Sequence, residues 1–334
     1  GSSGVERPGN DAANNRVIRE DIVVKDFAMA NSQALEVLNH GATGLCFIIP
    51  DELSLSAESI SQLLEGIHID CIELSFISDN QYSLIPGLLS GVCKDRKIAA
   101  DSLKGSVFVD PFSRFAREGN IGESLESDMK SMAVFIKELG DNLPKMNAIA
   151  IDTRVFHNAA ASIVQELATG LSMISDYMEM MSREGIAPES LAGMFTLTFG
   201  IGSQYFPEIA KIRAARLLFR QLMESWGVRD EEMQKVSIHS YTSEWNQTAY
   251  DPYVNMLRGT TESMSAVLGG SDSLTVTGFD KSFRESNDFS KRIARNTQII
   301  LKEEAYFDKV KDPSSGSYFI ESLTSSMAEN AWKL

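Results

Sequence analysis

Short apolar runs alternate with long helical stretches along nearly the whole chain, and no other feature constrains its fold as tightly. Strand candidates are 43–49 (TGLCFII), 71–76 (CIELSF), 105–109 (GSVFV), 148–151 (AIAI), 194–199 (MFTLTF), 236–240 (VSIHS) and 273–277 (SLTVT). A weaker candidate lies near Lys309–Lys311. Each is apolar or β-branched and bounded by Gly, Pro or Asp. Between them, Ile163, Leu167, Leu171, Ile174, Met178 and Met181 recur at steps of four and three, which predicts a helix over 160–182. Ala210, Ala214, Leu217, Leu218 and Leu222 do the same in 207–226, with Arg213, Arg216 and Arg220 as a second stripe. A third helix carries Ile299, Ile300 and Leu301. Parallel strands need helical crossovers, so eight such alternations without a reversal read as an α/β protein with a (β/α)8 barrel. An open doubly wound sheet is the alternative; eight even units favour closure.

Ahead of this pattern, 17–38 predicts an N-terminal extended segment and then a helix with Ala30, Ala34, Val37 and Leu38 on one face. Gly1–Gly4 resembles a cloning scar or a cut fragment end, and 1–15 has the composition of an unstructured lead-in, leaving 16–334 for the barrel. A net charge of −15 argues against nucleic acid and sits awkwardly with a polyanionic ligand. No apolar run reaches the ~20 residues that span a bilayer. Cys46, Cys71 and Cys93 are odd in number and show no paired spacing. Cys46 and Cys71 fall in predicted strands, where a free thiol acts as a small buried hydrophobe. A reducing, cytoplasmic location follows. No metal-spaced cluster, Walker loop or dinucleotide fingerprint is present. The amides of Gly200-Ile201-Gly202, at a strand-to-helix turn, could hold a phosphate, but a tight loop explains them equally well. The Met-rich segment 175–185 reads as packing.

Four segments carry a family resemblance: PEIAKIRAARLLF (207–219), VSIHSYTSEWNQTAYDPYVNMLRGTTESMSAVLGG (236–270), FSKRIARNTQIILKEE (289–304) and DPSSGSYFIESLT (312–324). Together they closely resemble the barrel domain of methylmalonyl-CoA mutases. Those enzymes hold an acyl-CoA along the barrel axis beneath a cobalamin. Cobalt–carbon homolysis starts a radical rearrangement, so the cofactor carries the hard step and the protein positions and polarises.

The positions that do this work in the family hold other residues here. Its Tyr-His pair after the fourth predicted strand falls at Arg154 and Val155, and Val155 cannot polarise a thioester carbonyl. His157, two residues on, is a candidate substitute, although a lone His on such a loop is usually a surface or capping residue. The carboxylate-gripping Arg falls at Glu118, next to Arg117; a Gln falls at Phe108; a CoA-contacting Arg falls at Met194; and the entrance Tyr falls at Asp21. On the corrin side His239 is kept, but the Gln two residues on becomes Tyr241, a Gly becomes Glu244 and a Glu becomes Lys281. His239 then reads better as a satisfied inner-barrel histidine than as a site residue. The family's flavodoxin-like domain, with its Asp-x-His-x-x-Gly cobalt-ligand motif, is expected to be absent from this chain.

The resemblance therefore implies the small, non-catalytic subunit of a heterodimeric mutase, paired with a homologous catalytic large subunit. Adenosylcobalamin would be bound by that large subunit and no cofactor by this chain. Self-association of the isolated chain is expected through the same face. An active acyl-CoA mutase of altered substrate range and a CoA-binding regulatory subunit are the alternatives. The larger residues Phe108, Phe156 and Tyr241 suggest a bore filled by side chains.

Overall fold

The computed structural model describes residues 14–119 and 125–334. Among these, eight strands close into a parallel barrel in chain order. They are β1 (Val17–Val23), β2 (Gly44–Ile48), β3 (Glu73–Ile77), β4 (Lys104–Val109), β5 (Met146–Asp152), β6 (Phe195–Ile201), β7 (Ser237–Thr242) and β8 (Ser273–Thr275). The helices begin with α1 (Phe27–Asn39), α2 (Ala57–Leu63), α3 (Ile85–Arg96), α4 (Pro111–Glu118), α5 (Leu125–Asn142) and α6 (Arg154–Asn158). They continue with α7 (Ile163–Arg183), α8 (Pro188–Ala192), α9 (Tyr205–Ser225), α10 (Val254–Gly269), α11 (Asp288–Glu303) and α12 (Tyr318–Lys333).

Eight strands were expected, but one of them lies elsewhere. The N-terminal extended segment is itself the first barrel strand: Arg19 aligns with Gly44 on β2, and Val17 with Ser273 on β8. The stretch at Lys309–Lys311 is a turn. Its one apolar residue, Val310, is 54% exposed, so it has no apolar face to bury. Strand counts made from sequence alone therefore run one behind the structure. Asn14, expected in the lead-in, is fully buried and its side chain donates to the carbonyls of Val267 and Phe307; the rest of that expectation, 1–13, lies outside the described residues. Cys71 is exposed in the turn before β3, not buried in a strand; Cys46 is buried on β2. Gly200 and Ile201 belong to β6, so the glycine pair does not open a helix.

The described chain divides into two compact units with boundaries inside β1, β5, β6 and α7. The first comprises 19–150 and 177–196; the second comprises 14–18, 151–176 and 197–334.

In the first unit, register shows how the two faces of the strands differ. Ile22, Phe47, Phe76 and Val107 align across β1 to β4 and are all buried. Burial of each such side chain stabilises the fold by roughly 1.5–3 kcal/mol. The alternate face carries Asp21, Cys46, Ser75 and Ser106. On it, the Arg19 guanidinium lies 5.2 Å from the Phe108 ring centroid. β1 and β4 are separated by two strands, so such a contact can only cross the barrel interior. The inward face thus carries small side chains at one level and Ile48, Ile77 and Phe108 at the next.

In the second unit β7 and β8 pair His239 with Ser273 and Tyr241 with Thr275. α9 is held by its arginine stripe. Arg213 is bound by Asp312 and Glu321, and Arg216 by Asp272 and the carbonyls of Val236 and Gly270. Arg220 stays at the surface with Glu224. The bonds of Arg213 fix the turn that follows α11, which explains why that segment is ordered without being a strand.

Candidate functional site

At the C-terminal ends of β5 and β7, in the second unit, three of the expected positions come together. Asp152, the last residue of β5, accepts from Arg154 Nε at 2.8 Å and from Nη2 at 2.6 Å. The Arg154 backbone N–H donates to the same carboxylate at 3.1 Å, which ties the first turn of α6 to the strand end. The guanidinium carbon then lies 3.7 Å from the centroid of the Tyr241 ring. Tyr241 meets His239 edge-on at 4.5 Å, as residues two apart on one strand face should. His239 is fully buried with Nδ1 2.7 Å from Ser273 Oγ. Cation, carboxylate, phenol ring and imidazole form one neutralised stack. Val155, next in α6, is half-buried and has no polar side-chain atom.

His157 is neither a surface nor a capping residue. Its Nε2 lies 2.7 Å from Ser243 Oγ, and its Nδ1 lies 3.8 Å from the buried Glu166. Gly200 makes this possible, since a Cβ there would stand 2.6 Å from the imidazole. Serine, histidine and glutamate in that order suggest a nucleophilic relay, but two features remove that reading. Ser243 is 2% exposed, and Glu166 is already paired with Lys211 Nζ at 2.9 Å.

Lys211 is the centre of this cluster. It is fully buried, with Glu208 at 2.7 Å on its other side and the Gly200 carbonyl at 2.5 Å. Burial opposes its charge, yet the two carboxylates outweigh it and hold the ammonium pKa above the ordinary lysine value. Burial likewise opposes ionisation of Glu166, and Lys211 and His157 together pull its pKa below the usual range. Glu208 also accepts from the Gly202 N–H at 3.0 Å, so the amide considered for phosphate is satisfied internally. The sequence reading missed this cluster. Its one legible sign was Glu208 and Lys211 three apart on a helix.

In the first unit Asp21 pairs with Arg19 at 3.3 Å, beneath the ring of Phe108. Phe108 and Glu118 line a cavity of about 480 Å³ at the C-terminal ends of β3 and β4. Asp79, Asp110 and Asp128 line it too, with Arg114. Burial pushes the Asp79 carboxyl above its ordinary range, against the pull of Arg117 and Arg114. Neither arginine is a ready anion grip, since Arg114 pairs with Asp128 and Arg117 with Glu118, both at 3.1 Å. Asp110 caps α4 and accepts from the buried Tyr177 hydroxyl at 2.7 Å. The charged lining of the cavity is therefore mainly carboxylate.

The remaining positions stand apart. Met194 precedes β6, packs against Gly140 and offers its carbonyl to the Ala148 and Ile149 amides. Lys281 is exposed in the turn after β8. No helix among the described residues is long and apolar enough to cross a membrane.

Comparison with known proteins sets these positions in context. Residues 54–334 match the family described as methylmalonyl-CoA mutase. The methylmalonyl-CoA mutase small subunit of Porphyromonas gingivalis is 39% identical over 327 residues, 96% of this chain and 52% of that protein. The small subunit of Propionibacterium freudenreichii subsp. shermanii is 31% identical over 97% of this chain and 49% of its own length. The large subunit from P. gingivalis is 31% identical over 84% of this chain and 39% of its own length. The chain spans about half the length of the small subunits it matches.

Proposed function

We propose a function from one premise: the chain belongs to the methylmalonyl-CoA mutase family. It serves as the barrel of a small subunit that pairs with a homologous large subunit. The large subunit binds adenosylcobalamin and interconverts methylmalonyl-CoA and succinyl-CoA; this barrel is catalytically silent. Small-subunit and large-subunit relatives both align with this chain, which supports the pairing. A cytoplasmic site fits three cysteines that form no disulfide among the described residues.

The observation that carries the silent reading is the Asp152–Arg154–Tyr241–His239 stack. A mutase site must present donors to a thioester as charge develops on its oxygen. Here the cation at that position already has a carboxylate and a ring for partners, and its neighbour is Val155. The described residues do not fit a cobalamin. The Tyr241 face that a flat macrocycle would need is covered by the Arg154 guanidinium. His157 and His239 have the close partners described above, and His40 lies against its own helix carbonyl, Glu36 O, at 2.7 Å. The exposed Glu244 adds a negative charge where close backbone approach is required.

The test is to supply the purified chain with adenosylcobalamin and methylmalonyl-CoA and to follow succinyl-CoA. No product is expected, and no visible cobalamin absorbance should co-purify. Mixed with the family's large subunit, the chain should elute as a heterodimer by size exclusion with light scattering. Turnover by the chain alone would overturn the silent reading. A chain that ignores the large subunit would overturn the partner reading. Calorimetry with CoA should give no heat of binding.

A further inference from the structure

Glu262 on α10 differs from the other buried carboxylates of the second unit. Glu166 and Glu208 share Lys211, whereas the hydrogen bonds of Glu262 come from neutral donors. It is 1% exposed. Its Oε2 accepts from the Ser243 N–H at 3.1 Å, a proton shared with the Ile201 carbonyl, and its Oε1 accepts from Asn246 Nδ2 at 2.7 Å. Both donors belong to the segment that leaves β7, and between them stands Trp245, 62% exposed. The rest of that connection is anchored separately and by a group that does not titrate. Asn255 accepts from the Thr248 N–H at 3.1 Å and donates to the Thr248 carbonyl at 2.9 Å.

We propose that Glu262 is a pH-sensitive latch on residues 243–247, holding that segment closed when protonated and releasing it when ionised. The charges around it set its sense. Burial is the largest influence and disfavours the carboxylate. Asn246 and the Ser243 amide favour it, Glu208 on α9 opposes it, and Arg258 one turn earlier on α10 favours it weakly. Arg258 is committed to Asn255 Oδ1 at 3.0 Å. His157 on α6 reaches Ser243 Oγ from the other side, Lys211 is occupied by Glu166 and Glu208, and Glu244 in the segment itself is exposed. The balance raises the Glu262 pKa to about 7. Opening the segment lets water reach the carboxylate and returns it towards its ordinary value of 4.5. The closed form therefore binds the proton more tightly. Closure is favoured as pH falls through neutrality, and opening as pH rises. The device controls how Trp245 is presented at the end of β7.

Hydrogen–deuterium exchange of the purified chain, corrected for intrinsic rates, tests this between pH 5.5 and 8.5. Opening of 243–247 should rise about tenfold or more across that range, while Thr248, held by Asn255, stays flat. Glu262→Gln cannot ionise, so whatever opening it shows should not change with pH. Arg258→Ala and Asn246→Ala each remove a group that favours the carboxylate, so their transitions should move to higher pH. The two variants also keep the test decisive if Glu262→Gln folds poorly. A flat wild-type profile, a transition that persists in Glu262→Gln, or one abolished by His157→Gln but not by Glu262→Gln would each overturn the proposal.

Discussion

Two charged clusters of the second unit differ in how their charges meet water. The Asp152–Arg154–Tyr241 stack is partly open to water, with side chains 22% and 31% exposed for the ion pair. The Glu166–Lys211–Glu208 cluster is shut away from it. Water screens the first, so its ion pair and cation–π contact contribute little to stability and act mainly on what the position can do. In the second, each charge has been stripped of solvent, and removing one partner leaves the others uncompensated. The screened charges sit on β5 and α6 and the desolvated ones on α7 and α9.

Lys211→Met should break the contrast most visibly. Two buried carboxylates lose their shared cation, and stability should fall by about 3–5 kcal/mol at neutral pH by chemical denaturation. The pH dependence follows from the directions of the shifts. The Lys211 contribution is present below its ordinary value of 10.5 and is lost as pH rises through its raised folded value. The Glu166 contribution is present above its ordinary 4.5 and is lost as pH falls through its lowered folded value. The deficit of the variant should therefore be greatest between those limits and shrink in acid, where the stranded carboxylates protonate. Adding Glu166→Gln should recover part of the loss. A deficit near zero at neutral pH would mean the cluster is not the buried charge balance described.

Arg154→Ala should cost about 1 kcal/mol or less, the usual worth of a partly exposed ion pair and a single cation–π contact. A loss comparable to that of Lys211→Met would place both clusters in one energetic class and remove the distinction. Thermal melts of the two variants side by side decide it.

The barrel was legible because alternation of period two and period 3.6 survives averaging over many residues. Its first strand was not, because VIREDIV carries Arg19, Glu20 and Asp21, and only closure on β2 and β8 shows why a charged stretch can be a strand. The departures at Arg154, Val155 and Tyr241 were each visible from sequence. The stacking of Arg154 on Tyr241 was not, since residues 87 positions apart meet only after β5 and β7 are placed. The reading of His157 failed for a related reason: Glu166 reaches it from α7 and Ser243 from the segment after β7, and no local pattern announces partners so distant.

The smallest expected effect is also the sharpest test of silence. Arg154→Tyr with Val155→His restores the residue types that the family resemblance implies at those two positions. No succinyl-CoA should form when the double variant is given adenosylcobalamin and methylmalonyl-CoA. The new imidazole would supply one hydrogen-bond donor, but groups that act as a unit lose and regain function non-additively, so one restored pair recovers little. Tyr241 would still fill its position against His239, Lys281 would remain exposed in its turn, and the cavity beside Glu118 would still be acidic. Each of these opposes a different requirement: room for a flat cofactor, its contacts and attraction of an anion. Stability should change by no more than the Arg154→Ala value, so a folded, inactive protein is the expected product, checked by its melt beside the assay. Turnover in that variant would show that the stack alone silences the barrel and that the other departures are incidental.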